Sequence, residues 1–354
     1  MSDLFKPTQL GDLKLANKIV MAPMTRSRAN SDGGANDLMR DYYAQRASAG
    51  LIISEGIYPC ADGKGYARSP GIETDEQVHS WRRVTDAVHE KGGLIVAQIM
   101  HVGRAASHHN KPADARTFAP SAIAITGEVY TDAAGMAPFD TPIEMSVADI
   151  KRTIDQYVAG CENAIAAGFD GVELHFTSGY LPAQFLSSGS NQRQDDYGGS
   201  LENRLRFAIE LIDAVSDAIG SARVGMRICP GNPFNDLQDD NPHETFSALL
   251  TSPACKELAY LHVIRMDAGV DNLALAKEYF SGPVIVNDSF DIASGTEIIQ
   301  QGFAAVAYGR AFVANPDFVE RSQKGIALSK INFKTLYTPG AEGYTDYPFA
   351  DDKA

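Results

Sequence analysis

Short apolar runs alternate with amphipathic segments along almost the whole chain. Eight of these runs are apolar on both faces and end at turn residues or charges, which is typical of parallel strands covered on both sides. The predicted strands are Ile19–Met24, Leu51–Ile57, Leu94–Met100, Gly171–His175, Arg223–Cys229, Tyr260–Ile264, Pro283–Asn287 and Ala304–Tyr308. The helical patterns between them include Asp37–Ala49, Asp75–Lys91, Ser146–Ala167, Leu201–Ile219 and Asn272–Phe280. The alternation predicts one α/β domain, a (β/α)8 TIM barrel over residues 1–354.

Two segments add to this repeating pattern. Residues 10–13, Leu-Gly-Asp-Leu, precede the first strand and predict a small N-terminal hairpin at the bottom of the barrel. Residues 101–145 follow the third strand, are rich in Pro, Ala, Gly and Ser, and are too long for an ordinary connection. Because barrel enzymes carry their active sites at the carboxyl ends of the strands, we interpret this segment as a capping insertion over the site.

Composition narrows the class of partner and the compartment. The net charge of −14 argues against binding to nucleic acid or to anionic membrane surfaces. The start of the chain lacks a signal-peptide pattern, and no apolar run is long enough to span a bilayer. The cysteines lack CxxC spacing, so we expect reduced, mostly buried thiols in a cytoplasmic protein. They are Cys60, Cys161, Cys229 and Cys255.

The histidines that follow the third strand do not predict a metal site. His101, His108 and His109 have a spacing that fits neither a helical pair nor a finger. The cysteines show no metal-ligand pattern either, so we expect no metal.

The fourth predicted strand leads into the most distinctive stretch of the chain, residues 168–207. The strand ends at His175, and Tyr180 follows at the edge where parallel barrels carry their chemistry. The order His-x-x-Ser-Gly-Tyr-Leu-x-x-Gln-Phe-Leu, followed by Arg-x-Asp-x-Tyr-Gly-Gly-Ser-x-Glu-Asn-Arg, resembles the signature of the old yellow enzyme family. Ser178 stands where that signature carries Asn or His.

The resemblance extends from Leu4 to Pro348 and implies a function. The family comprises FMN-dependent ene-reductases driven by NADPH or NADH. A similar protein would bind FMN tightly and non-covalently, and would reduce α,β-unsaturated carbonyl or nitro compounds in a ping-pong cycle through flavin N5. Its partners would be small molecules. The family includes monomers and larger assemblies, so a homo-oligomer stays open.

The resemblance also assigns flavin contacts. Residues 22–28, Ala-Pro-Met-Thr-Arg-Ser-Arg, match the family's first-strand motif, and Ser-Glu-Gly at 54–56 sets a glycine against the ring. Arg227 would lie near flavin N1 and O2, where a fixed cation stabilises the charge gained on reduction. The implied flavin contacts are Pro23, Met24, Thr25, Gly56, Gln98, His175 and Arg227.

The phosphate of FMN is expected at the loops after the seventh and eighth strands, as in other barrels. Gly309 allows the backbone a close approach, and Arg310 supplies a forked cation. The chain has Asp288 and Ser289 where the family leads us to expect Gly, or Gly followed by a small polar residue. A carboxylate beside a phosphate is repulsive unless it is turned away. Asp tolerates positive φ, so we expect it to keep the turn with its side chain in water, while Ser289 donates a hydroxyl.

The substrate-contacting residues follow from the same signature. His175 and Ser178 would donate hydrogen bonds to the carbonyl or nitro oxygen, although Ser offers one donor where Asn offers two. Tyr180 would protonate the α-carbon. The expected pocket walls are Tyr66, Met100, Phe234 and Tyr337.

Two alternative functions stay open at this point. One is a related flavin oxidoreductase that acts on nitrate esters or quinones. The other is a weakly catalytic flavin-binding redox sensor. The presence of His175 and Tyr180 argues against the sensor, whereas Ser178 and Asp288 keep it open.

Overall fold

Eight parallel strands close into a barrel in the computed structural model, which describes residues 2–350. In order around the barrel they are Ile19–Met21, Leu51–Ile57, Ile95–Ile99, Gly171–His175, Val224–Ile228, Tyr260–Ile264, Val284–Asn287 and Ala305–Tyr308. The predicted fold class is therefore confirmed, although five of the strands are shorter than predicted. The first strand ends at Met21 rather than Met24, since Pro23 has no N–H to donate to the ladder.

Helices cover the outside of the barrel. The longer ones are Asp37–Gln45, Asp75–His89, Val147–Ala166, Leu201–Ile219, Pro242–Thr251, Asn272–Tyr279 and Ile292–Gln300, and the shorter ones are Leu181–Leu186, Arg310–Ala314 and Phe318–Lys324. The third of these helices begins at a capping box, in which Ser146 and Asp149 each bond the other's backbone N–H. Over residues 2–350, none of these helices is long and apolar enough to cross a membrane.

A hairpin and an insertion lie at opposite ends of the barrel. The hairpin pairs Thr8–Leu10 with Leu13–Leu15, and its leucines pack with residues of the barrel interior. Gly11 has a positive φ, and a Cβ there would lie 2.3 Å from a backbone oxygen, so the turn requires glycine. Within residues 101–145, Glu128–Thr131 pairs with Gly135–Pro138 in a second hairpin, which we call the insertion hairpin.

Two buried arginines tie the C-terminal segment to the turn that follows the first strand. Arg26 donates to the Gly343 carbonyl at 2.8 Å. Arg28 donates to the carbonyls of Thr335 at 2.8 Å and Leu336 at 2.7 Å. Hydrogen bonds from a charged donor are stronger than neutral ones, and they satisfy guanidinium groups that would otherwise be costly to bury. The last part of the chain is thereby fixed over the first strand's carboxyl end.

A third arginine extends these contacts to Arg310–Ala314, the short helix that follows the last barrel strand. Arg46 donates to the carbonyls of Phe312 at 2.8 Å and Val313 at 2.9 Å. Its guanidinium carbon lies 3.8 Å from the ring centroid of Tyr42, which stacks on Tyr344 at 4.1 Å. Cation–π contacts of this kind are strongest where water is excluded.

Glu55 is a buried carboxylate next to Arg26. It accepts hydrogen bonds from the Arg26 backbone N–H and the Tyr43 hydroxyl, each at 3.3 Å. Burial raises the pKa of Glu55 to about 7, although the Arg26 N–H and the arginine charges act in the opposite direction.

This raised pKa predicts a pH-dependent cost to stability. At pH values between the usual carboxyl pKa and about 7, the folded protein binds more protons at Glu55 than the unfolded chain does. Stability from this group is therefore present at low pH and is lost as the pH rises through 7. We expect the parent to lose up to about 3 kcal/mol relative to Glu55→Gln between about pH 5 and pH 8. Urea unfolding at both pH values measures this difference, and parallel curves would contradict it.

Candidate active site

The carboxyl end of the barrel interior carries a group of polar side chains. Strand register pairs His175 with Arg227 on the neighbouring strand. Arg227 Nη2 donates to Asn287 Oδ1 at 2.7 Å, and Asn287 Nδ2 donates to the Ala307 carbonyl at 2.8 Å. Asn287 therefore fixes the Arg227 guanidinium against the seventh and eighth strands.

Two buried nitrogen atoms in this group need a further partner. His175 Nδ1 and Arg227 Nε have no hydrogen-bond partner among the residues that the structure describes. Burial lowers the pKa of His175 well below its usual value, and the Arg227 charge adds to this effect, so the imidazole is neutral. A polar ligand at the barrel mouth would satisfy both atoms. The chemistry of this donor set fits the ring edge of FMN.

The loop after the fourth strand is shaped by positive φ angles. Ser178 has φ 58° and Gly179 has φ 70°. A Cβ at Gly179 would lie 2.6 Å from the Phe234 carbonyl oxygen, so only glycine fits. Asn235 Nδ2 donates to the Ser178 carbonyl at 2.8 Å. These constraints turn the chain back, so that Tyr180 follows within reach of the strand's end.

Tyr180 faces His175 on one side and Tyr66 on the other. The ring centroids of Tyr180 and His175 are 5.0 Å apart, and the Tyr180 hydroxyl donates to the Tyr66 hydroxyl at 3.1 Å. Burial raises the pKa of Tyr180 well above its usual value, and Tyr66 adds to the rise. The phenol therefore stays protonated at neutral pH and can act as a proton donor.

A cleft of about 1270 Å³ opens above these residues. Thr25, Tyr66, Tyr180, Phe234 and Tyr337 all line it, so three of the four expected walls are in place. Phe234 and Tyr337 are 56% and 60% exposed, which leaves two large rings free to contact a ligand.

Met100, the fourth expected wall, is buried and lies behind Gly56. A Cβ at Gly56 would come within 2.5 Å of the Met100 thioether, so glycine at this position makes room for that side chain. Met100 belongs to the same apolar cluster as Tyr66 and Tyr180. Met100 therefore does not line the cleft as expected, and instead packs behind the wall that Tyr66 and Tyr180 form.

Arg68 joins three separate segments at the side of the cleft. Its Nε donates to the Ser27 carbonyl at 2.9 Å, and its Nη2 donates to the Tyr337 carbonyl at 2.8 Å. Its Nη1 pairs with Asp132 in the insertion hairpin. We call this group the Arg68 joint. It holds the first-strand turn, the insertion hairpin and the C-terminal segment in one arrangement.

The two expected phosphate loops emerge side by side, because the seventh and eighth strands are neighbours. Asp288 and Ser289 have φ values of 79° and 58°, and both are exposed. The expectation that Asp288 keeps a positive φ with its side chain in water is thus confirmed. A Cβ at Gly309 would lie 3.2 Å from the Met24 sulfur, so the first and eighth strands' loops are close. Arg310 is exposed at the start of its short helix.

Several residues around the site were not predicted from the sequence. Glu173 and His262 are polar residues in the middle of mainly apolar strands, and that contrast was the available signal. Asn287 ends the seventh strand, where a polar side chain often faces a site. The role of Arg68 had no local signal, because its partners are distant in sequence.

Metal chemistry receives no support from the described part of the chain. No group of three or more His, Cys, Asp or Glu residues there could hold a metal ion. The four cysteines are unpaired and buried.

Comparisons with known proteins agree with this architecture. The model of the NADH:flavin oxidoreductase / NADH oxidase family matches residues 3–329. A probable flavin mononucleotide-dependent alkene reductase of Leishmania infantum is 41% identical over 98% of this chain and 97% of its own. Morphinone reductase in complex with tetrahydroNAD is 40% identical, with a TM-score of 0.93 over 99% of this chain and 98% of its own. The old yellow enzyme homologue from Zymomonas mobilis is 34% identical, with a TM-score of 0.93 over 98% of this chain and 99% of its own.

The chain belongs to the NADH:flavin oxidoreductase / NADH oxidase family. The resemblance to the old yellow enzymes is thereby confirmed. The protein is an FMN-dependent oxidoreductase that uses NAD(P)H, and its relatives support ene-reduction as its activity.

The two loops expected to bind the FMN phosphate can be tested with one substitution in each. We expect Arg310→Ala to weaken FMN binding by at least about tenfold, because a charge-assisted hydrogen bond is worth about 1.5–3 kcal/mol. We expect Asp288→Gly to leave FMN affinity unchanged or to raise it, since glycine relieves the positive φ and removes a negative charge. Flavin fluorescence titration of the apoprotein measures both constants. Parental affinity in Arg310→Ala would show that phosphate binds elsewhere.

Proposed function

We propose that the chain reduces α,β-unsaturated carbonyl or nitro compounds in the cleft, with His175 and Ser178 binding the oxygen and Tyr180 supplying the proton. The observation that carries this assignment is the pairing of a neutral, buried imidazole with a protonated phenol at a ring distance of 5.0 Å. Acid catalysis needs a donor held beside the group that binds the substrate oxygen. His175 and Tyr180 supply those two functions.

The residues proposed to hold FMN surround the barrel mouth. Gln98, His175 and Arg227 would contact the ring, with Pro23, Met24, Thr25 and Gly56 along its edge. Arg310, Gly309 and the turn at Asp288–Ser289 would hold the phosphate. The chemistry that FMN supplies when bound is the transfer of a hydride from NAD(P)H to the β-carbon of the alkene. The two buried nitrogen atoms without a partner support this assignment.

His175 and Ser178 would stabilise the charge that develops on the substrate oxygen. A neutral imidazole carries one N–H, and a hydroxyl carries one O–H, so the pair offers two donors in total. An Asn in place of Ser178 would present an amide with two donors. This difference bears on how strongly the oxygen is polarised, and hence on which acceptors react fastest.

Tyr180 would give its proton to the α-carbon and recover it from the direction of Tyr66. The hydrogen bond between the two hydroxyls, at 3.1 Å, supports this path because Tyr66 also lines the cleft. The aromatic rings of Phe234 and Tyr337 would contact the apolar body of the substrate. Met100, which is buried against Gly56, would support this wall through packing.

We propose further that the chain forms a single cytoplasmic domain; of the expected range 1–354, Met1 and residues 351–354 lie outside the described residues. Among residues 2–350, the one large sheet is a single closed barrel of eight strands, and the other sheets have two strands each. Four buried, unpaired cysteines support a reducing compartment.

The role of Tyr180 is tested by separating acceptors that need a carbon-bound proton from those that do not. We expect Tyr180→Phe to slow enone reduction by about 10²–10⁴-fold, the usual contribution of a general acid. Quinone reduction should change little, because its oxygens are protonated from water. Stopped-flow measurement of flavin reoxidation distinguishes the two. Tyr130→Phe, which removes an exposed hydroxyl from the same cleft, is the matched control. Enone reduction at the parental rate in Tyr180→Phe would remove Tyr180 from the mechanism.

The Ser178 position generates a prediction of improved activity. Asn adopts positive φ more readily than Ser, so Ser178→Asn should fit the backbone at φ 58° without added strain. We expect faster reoxidation by enones, up to the roughly 10²-fold that an added donor to a developing oxyanion can give. Flavin reduction by NADPH should change less. A slower reoxidation in Ser178→Asn, at unchanged FMN content, would contradict a donor role for this position.

A further inference from the structure

Glu173 is a carboxylate inside the barrel, two residues before His175 on the same strand. It is fully buried, and strand register sets it directly beside Gln98. Glu173 Oε1 accepts a hydrogen bond from Gln98 Nε2 at 2.8 Å. Glu173 Oε2 lies 2.8 Å from His262 Nδ1, which is also fully buried. Since His262 pairs in register with Arg227, these groups lie together beneath the proposed ring site.

The protonation states of the pair follow from their surroundings. Burial alone would raise the pKa of Glu173, but His262, Arg227 and Gln98 together lower it, so the group is ionised. Burial lowers the pKa of His262, and the opposing effect of Glu173 is smaller. His262 Nε2 has no hydrogen-bond partner in residues 2–350. The imidazole is therefore neutral, with its proton on Nδ1, which donates to the carboxylate.

This arrangement has two consequences for the residues above it. Because Glu173 uses Gln98 Nε2, the Gln98 carbonyl oxygen is left to meet a donor such as the imide N–H of a pyrimidine ring. The negative charge of Glu173 also acts on Arg227, whose guanidinium is the cation of the ring site. A carboxylate in a low-dielectric interior weakens the attraction of that cation for any further negative charge.

We propose that Glu173 and His262 form a positioning pair, which fixes the orientation of the Gln98 amide and counterbalances Arg227, so that bound FMN is harder to reduce than Arg227 alone would make it. This inference rests on FMN binding at the barrel mouth, as set out above. Reduction adds negative charge to the flavin, and the nearby carboxylate opposes that change. Neither residue touches the substrate, so both act through their neighbours.

The test is the midpoint potential of bound FMN in Glu173→Gln. This variant keeps the shape of the side chain and the acceptor for Gln98. His262 Nδ1 can accept a hydrogen bond from the new amide N–H if the imidazole proton moves to Nε2. Nε2 has no hydrogen-bond partner among the described residues. We expect the two-electron equilibrium to shift about tenfold toward reduced FMN, equivalent to about 30 mV. FMN affinity should stay near that of the parent.

Two further variants separate charge from positioning. Glu173→Asp keeps the charge but shortens the side chain, so we expect weaker FMN binding with a potential near the parental value. Asp170→Asn is the matched control. Asp170 also pairs with a histidine, His89 at 3.0 Å, but at the solvent-facing amino end of the same strand. Water screens its charge, so its loss should leave the potential unchanged.

The outcomes distinguish this inference from the proposed function. A parental potential in Glu173→Gln, with FMN bound and reduced by NADPH, would overturn the counterbalancing role and leave the enzyme assignment intact. An equal shift in Asp170→Asn would show that any lost charge suffices, which also overturns it. Unchanged FMN affinity in Glu173→Asp would overturn the positioning of Gln98. A parent protein that binds no FMN would overturn both the inference and the proposed function.

Discussion

The site depends on the hydrogen bonds that Arg26 and Arg28 donate to the last part of the chain. Both arginines sit just beyond Thr25, and their carbonyl partners lie within residues 335–343. Leaving one such buried guanidinium unpaired costs about 3–5 kcal/mol. The turn proposed to contact the flavin and the segment that carries Tyr337 therefore hold each other in place. This is why a residue as exposed as Tyr337 can keep a defined position in the wall of the cleft.

The barrel was predictable because its signal is repeated eight times along the chain. Errors at the ends of single strands, such as the three extra residues given to the first strand, do not change the number of alternations. The loop after the fourth strand was also accessible to prediction, since the residues proposed for the site are neighbours in sequence. The resemblance could therefore be tested position by position from His175 onward.

The interior polar group was harder to predict for a physical reason. A strand covered on both sides is apolar throughout, so it lacks the alternation that tells inward from outward residues. Glu173 and His262 lie on strands separated by one other strand, and the sequence consequently gave no sign that they would contact each other. Arg68 was missed because its partners, Ser27, Asp132 and Tyr337, are spread over most of the chain. Such contacts exist only once the fold has formed.

The two departures from the family pattern share one structural property. Ser178 and Asp288 both stand at positive φ, a region that glycine and Asn occupy more easily than most residues. The backbone thus keeps the turns on which the site is built, while the side chains change what those turns offer to a ligand. The family's preference for Asn or His at the first position has a backbone reason in addition to a chemical one.

The Arg68 joint has a consequence for how the substrate range of this enzyme could diversify. One guanidinium contacts the insertion hairpin, the first-strand turn and the Tyr337 segment, so a substitution of Arg68 would act on all three. A new hairpin sequence that lost Asp132 would also loosen the backbone that presents Tyr337 on the other side of the mouth. Variation elsewhere on the hairpin, at exposed rings such as Tyr130, could proceed one substitution at a time.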